Sequence, residues 1–103
     1  MKIIFDKKIQ KFTKKLDEES KAKILTTFEL LEKLGKYLKP PHSKKIRSNL
    51  FELRIKGKNK IRFFYFFQNN KIIVVLHAIF KKSQKIPKKD IDLALKRANK
   101  HLT

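Results

Sequence analysis

The sequence predicts one α+β domain over residues 1–103: a short N-terminal strand, a two-helix hairpin, a three-stranded antiparallel meander and a C-terminal helix. Three observations carry this expectation. Residues 50–80 are dense in β-branched and aromatic residues, broken only at Gly57-Lys58-Asn59 and Asn69-Asn70. On both sides of this block, apolar residues recur at helical spacing. The chain is 103 residues long, the size of one domain, and holds no internal repeat and no linker long enough to divide it.

Lys2 to Phe5 reads as a short strand. Ile9, Phe12 and Leu16 then place a first helix over residues 6–17. Ser20 is a candidate cap for a second helix, whose apolar stripe is Ile24, Phe28, Leu31 and Leu34 or Leu38. Gly35 lies near its end, and Lys39-Pro40-Pro41-His42 stops it. The meander follows. One strand face carries Phe51, Leu53, Ile55, Ile61, Phe63, Tyr65, Phe67, Ile72, Val74, Leu76 and Ala78, and is expected against the helical hairpin. The other carries Glu52, Arg54, Arg62, Phe64, Phe66, Val75, His77, Ile79 and Lys81, basic at one end and aromatic at the other. Pro87 begins a third helix, with Asp90 in its first turn and Ile91, Ala94, Leu95, Ala98 and Leu102 as its apolar stripe. That helix can cover the aromatic end and leave the basic end open as a groove.

Charge narrows the function. The chain holds 28 Lys and Arg against nine Asp and Glu, a formal net charge of +19. Six of the nine acids fall in the first 40 residues, so the meander and third helix are the most basic part. Such a domain attracts polyanions, nucleic acid first among them, and its binding should weaken with salt. An acidic protein can use the same surface. A biased codon supply accounts for many lysines but not for the crowding of acids at one end. No cysteine is present, which removes disulfides and thiolate metal sites and fits a reducing, cytoplasmic setting. Charges after Ile3-Ile4-Phe5 argue against a signal peptide, and the apolar runs are too short for a membrane span.

Turn lengths suggest how the cations gather. A three-residue loop at Gly57-Lys58-Asn59 sets Arg54 opposite Arg62. A two-residue loop at Asn69-Asn70 pairs Gln68 with Lys71 and sets Arg62 opposite His77. The expectation is a row of Arg54, Arg62 and His77 across three strands. Directly opposed like charges destabilise a sheet, so a bound anion is the natural occupant of that row. Two guanidinium groups can grip a phosphodiester and stabilise charge building on it. Against this, Glu52 can pair with one of them, although one carboxylate cannot neutralise both. His77 reads either as a general acid or base, or as a buried imidazole that orients its neighbours. Lys81 shares the face of Arg62, and neighbouring cations disfavour its ammonium form, as a base requires. Phe64 and Phe66 either stack bases or pack under the third helix. Phosphate-loop chemistry is excluded because the only glycines are Gly35 and Gly57. The last 63 residues offer only Glu52, Asp90 and Asp92, too few acids for a clustered metal-dependent nuclease site.

These same residues carry a family resemblance. Leu50-Phe51-Glu52-Leu53-Arg54, Arg62-Phe63-Phe64-Tyr65, and Val75-Leu76-His77-Ala78-Ile79-Phe80-Lys81-Lys82-Ser83-Gln84-Lys85-Ile86-Pro87 resemble the RelE/ParE superfamily of bacterial toxins, most of all its phage-derived, HigB-like branch. The N-terminal half, ending in Leu38-Lys39-Pro40-Pro41, is similar as well. The resemblance implies the RelE/ParE-like microbial RNase fold and a type II toxin that cleaves mRNA on the translating ribosome without metal or small-molecule cofactor. It places Arg54 and Arg62 as phosphate stabilisers, His77 as acid or base, and Lys81, Lys82 or Lys85 as further cations or base. Arg47, Lys56, Lys58, Lys60, Lys82 and Lys85 are the candidate RNA contacts around that centre. The expected partners are a cognate antitoxin and ribosome-bound mRNA, with no membrane. The sequence departs from the family pattern at Ala78, where Gly is common, and at Ile86, where Thr is common. It also lacks the C-terminal tyrosine of some RelE-like toxins, its last being Tyr65. A ParE-like gyrase inhibitor and a non-catalytic basic nucleic-acid-binding module are the alternatives.

Overall fold

The computed structural model describes residues 1–82 and 85–102; Ser83 and Gln84, part of the motif compared above, and Thr103 lie outside the described residues. The elements are β1 (Lys2–Phe5), α1 (Lys7–Lys14), α2 (Glu18–Leu34), β2 (Ser43–Arg47), β3 (Leu50–Ile55), β4 (Ile61–Gln68), β5 (Ile72–Phe80) and α3 (Lys88–Leu102), with a short 3₁₀ turn at Gly35–Tyr37. The five strands form one sheet in the order β1-β5-β4-β3-β2. β1 runs parallel to β5, and the other neighbours are antiparallel.

The α+β class and the element order agree with the sequence, but the sheet has one strand more than expected. β2 was missed because Ser43-Lys44-Lys45-Ile46-Arg47 carries too much charge to read as a strand. It is an edge strand, and charged side chains protect such an edge from pairing with other chains. Its apolar signal is also unnecessary. The Ser43 and Tyr65 hydroxyls hydrogen-bond at 2.7 Å in the interior, and the Asn49 amide is tied to the Phe67 backbone. The first helix is shorter than expected, opening after Asp6 and ending at Lys14. Asp17, not Ser20, caps α2, its carboxylate accepting from the Ser20 N–H at 3.2 Å. Leu38 rather than Leu34 continues the buried stripe, and Leu102 is exposed.

The sheet is filled on both faces. Ile9, Ile24, Phe28 and Leu31 of the hairpin pack on Leu53, Ile55, Ile61, Phe63, Tyr65 and Phe67. On the opposite face Ala94, with Ile91, Leu95 and Ala98, packs on Leu50, Phe64 and Phe66. Phe64 and Phe66 are therefore core residues, with 0% and 2% of their surface exposed, and do not stack bases.

In β5 the faces differ from the simple alternation. Gln68 pairs with Ile72 instead of Lys71, a slip of one residue at the Asn69-Asn70 turn. A bulge then shifts the register again, so that Phe64 faces His77 and Tyr65 faces Val75. Between the two slips Val75 belongs to the hairpin side and Val74 and Leu76 to the α3 side, the reverse of expectation. Beyond the bulge the expected faces return. A bulge inserts one residue without a partner and changes side-chain parity locally.

Candidate functional site

The β3–β4 pairing is as the turn length requires: Arg54 lies directly opposite Arg62. The loop between them is pinned from behind. Asn59 donates to the Asp17 carboxylate at 3.1 Å and to the Ser20 hydroxyl at 3.0 Å. Lys58 stands 3.8 Å from Asp17. Gly57 sits at φ 150°, a backbone conformation that residues other than glycine rarely adopt. The loop is thus fixed against the N-terminus of α2, and its strands present their cations at a set spacing.

The two register slips carry His77 away from the row expected of it. Arg62 lies opposite Ile79, and His77 lies opposite Phe64. The His77 ring stacks on Phe64 with centroids 5.7 Å apart. Its Nε2 is 2.8 Å from Asp90, and its Nδ1 is 3.3 Å from a guanidinium nitrogen of Arg97, which also donates to the Leu76 carbonyl at 2.8 Å. Arginine only donates, so Nδ1 accepts and Nε2 carries the proton directed at Asp90. Through these contacts the His77 imidazole joins β5 to α3. His101, at the far end of α3, reaches Asp6 at 3.4 Å.

The slips put Ile79 opposite Arg62 and draw Lys81, two residues further on and on the same face, toward the arginines. The Lys81 N–H donates to the Lys60 carbonyl at 2.7 Å, which extends the β4–β5 ladder past Ile61 and Phe80. Arg54, Arg62 and Lys81, from three consecutive strands or their ends, now line one open cavity of about 670 Å³. Lys56, Lys60 and Lys82 complete its basic lining, with Pro41, Ile55 and Gly57. Of the candidate RNA contacts, Lys56, Lys60 and Lys82 therefore meet at this cavity. Arg47 lies on the exposed edge strand, Lys58 turns to Asp17, and Lys85 is an exposed residue outside this lining.

Glu52 is the residue whose importance the sequence understated. It is 1% exposed, and it accepts from Arg54 Nε at 2.7 Å. Arg62 donates to the Ile61 carbonyl at 3.0 Å, while its buried Nε and the second Glu52 oxygen have no hydrogen-bond partner among the described residues. Burial pulls the Arg62 guanidinium below its ordinary pKa; Glu52 works against this and Arg54 with it. Burial likewise pulls the Lys81 ammonium below its ordinary pKa, with Arg62, Arg54 and Lys44 in the same direction and Glu52 opposing. A lysine so placed reaches its neutral form more readily than a solvated one. The α3 partners of His77 also had a legible signal: Asp90, Ala94, Arg97 and His101 follow one another at helical spacing along one flank of the helix. Among the described residues no three His, Cys, Asp or Glu gather closely enough to hold a metal ion.

The family described as phage-derived protein Gp49-like (DUF891) matches residues 11–99. The chain belongs to that family. Gp49-like proteins are RelE- and toxin-like, and the family is associated with the toxins of toxin–antitoxin pairs. The matched region of this Gp49-like chain runs from α1 through most of α3 and includes every residue lining the cationic cavity. No curated protein matches the chain. Among its described residues no helix is long and apolar enough to cross a membrane.

Proposed function

We propose that this Gp49-like protein is the toxin of a type II toxin–antitoxin pair, of the HigB-like kind, and that it cleaves mRNA on the translating ribosome without a metal ion. One observation carries the reading. Arg54, Arg62 and Lys81 converge on one open cavity whose lining, among the described residues, includes no acid. The arrangement suits one ribose–phosphate linkage. Arg54 and Arg62 hold the non-bridging oxygens and bind the charge that grows on them during displacement. Lys81, in its neutral form, takes the proton of the ribose 2′-OH as that oxygen attacks phosphorus. The bond to O5′ breaks, leaving a cyclic phosphate and a 5′-OH. The departing oxygen takes its proton from an ammonium of the same lining, Lys60 or Lys82. His77, held between Asp90 and Arg97, supports α3 and takes no part in the proton transfers. The partner that silences the protein is a cognate antitoxin whose acidic segment lies over the cavity.

The test is cleavage of mRNA by the purified protein in a translating-ribosome assay, with product ends identified chemically. Lys81→Arg keeps the positive charge but cannot serve as a base, and is expected to lower the rate by about 10²-fold or more. Intact mRNA together with stalled gyrase complexes would replace this reading with gyrase inhibition. Cleavage at the unsubstituted rate by Lys81→Arg would remove Lys81 as the base.

A further inference from the structure

Four cations from three strands and a strand end surround one buried acid. Arg54 lies beside Glu52 on β3, Arg62 on β4, Lys81 just past β5, and Lys44 directly opposite Glu52 on β2. A carboxylate that is 1% exposed is costly to bury unless its charge is matched. One oxygen receives Arg54 at 2.7 Å, and the other keeps no hydrogen-bond partner among the described residues. Position and burial therefore exceed what a simple ion pair needs. A surface Glu would neutralise Arg54 equally well at less cost.

We infer that Glu52 is a positioning residue of the cationic cavity: its buried carboxylate fixes the Arg54 guanidinium by the Nε edge, leaving the other edge for phosphate, and sets the field in which Arg62 and Lys81 work. The geometry gives the first half directly. An arginine held through Nε still offers its terminal nitrogens, whereas one gripped by both would be spent on the carboxylate. The field gives the second half. The charged groups around Lys81 are Arg62 from β4, Arg54 and Glu52 from β3, Lys44 from β2, and Lys56, Lys60 and Lys82 in the cavity lining. Burial, Arg62, Arg54 and Lys44 all favour neutral Lys81, and Glu52 opposes them. Glu52 thus limits how far Lys81 drifts from the protonated state. It does the same for the charge of Arg62. A phosphate entering the cavity adds negative charge in front of the cations, as Glu52 does behind them.

This inference deepens the proposed use of the cavity, but its test needs no RNA. The probe is an NMR titration of Lys81 in isotope-labelled protein, assigned with Lys81→Met. Glu52→Gln keeps the size and the oxygen that accepts from Arg54 but removes the charge. Its Lys81 midpoint is expected at lower pH than in the unsubstituted protein. Glu52→Asp keeps the charge one methylene further back, and its midpoint is expected between the two. A role confined to packing would lower stability in both variants and leave the midpoint in place. An unmoved midpoint in either folded variant overturns the inference. In the unsubstituted protein the Arg54 Nε proton should exchange slowly with solvent near neutral pH, and fast exchange there also overturns it. If mRNA cleavage is found, its acid limb should move with the Lys81 midpoint. A protein that fails to cut RNA yet shows the shift would sink the nuclease reading and leave the role of Glu52 standing.

Discussion

Replacing Arg62 by Met should make the protein more stable and inactive at once. Met keeps most of the unbranched stem that packs between Arg54 and Ile79 and removes only the guanidinium. Two costs disappear. Arg54 and Arg62 are directly opposed, and like charges in that geometry cost about 0.2–1 kcal/mol. The buried Nε of Arg62 has no partner among the described residues, and a lone buried donor costs about 1–3 kcal/mol, at the low end here because the group is only partly buried. Two gains are lost with it: the bond to the Ile61 carbonyl, worth about 1 kcal/mol, and the attraction of Glu52, already engaged by Arg54. The balance is a stabilisation of about 0.5 kcal/mol, or about 2–4 °C in Tm for a domain of this size. Cleavage should fall by about 10²–10³-fold, the usual consequence of removing one preorganised donor. Thermal melts by circular dichroism and the ribosome assay measure the two quantities. A lower Tm with cleavage retained would show that Arg62 serves the fold and not the phosphate.

His77→Ala should lower unfolding stability by about 1–3 kcal/mol, because Asp90 and Arg97 lose their shared partner at the β5–α3 contact. Urea titration measures the loss, and an unchanged pH dependence of cleavage in the folded variant would confirm that His77 transfers no proton. Acid should destabilise the protein through two helix-capping carboxylates. At Asp6, burial works against the charge, but the Lys8 N–H, the His101 ring and Arg97 outweigh it and hold the carboxyl below its ordinary value. At Asp17 the Ser20 side chain and N–H do the same, with Lys58 adding to them and burial opposing. Depressed acids stabilise the fold above the ordinary carboxylate pKa and cease to do so as pH falls through the folded value. Denaturant titrations across the acid range should therefore show falling stability in that window, with a shallower fall in Asp6→Asn; an equally steep fall would assign the loss elsewhere.

Much of the architecture was legible locally. Helical stripes such as Ile24, Phe28 and Leu31 need only a count along the chain, and the three-residue loop at Gly57 placed Arg54 against Arg62 correctly. The charged edge strand was not legible, because Ser43-Lys44-Lys45-Ile46-Arg47 lacks the apolar pattern of a strand and the contact that buries Ser43 is made with Tyr65, distant in sequence. The position of His77 was not legible for a different reason. Each residue of β5 has the same local character whether or not a bulge precedes it, so turn length alone led to a register two residues out. Only packing against α3, which takes Val74 and Leu76 on one side while Val75 goes to the hairpin, selects the bulged pairing.

Composition and periodicity by themselves determined a basic α+β chain with a helical hairpin, a C-terminal helix and a meander that brings two arginines face to face. Tertiary structure decided which groups share the cavity. Two slips of one residue each cancel in side-chain parity but not in position, so they return Lys81 to the face of Arg62 while leaving His77 beneath α3. Parity is a local property of a strand; the distance between side chains on neighbouring strands depends on the whole register, which the packed layers choose together.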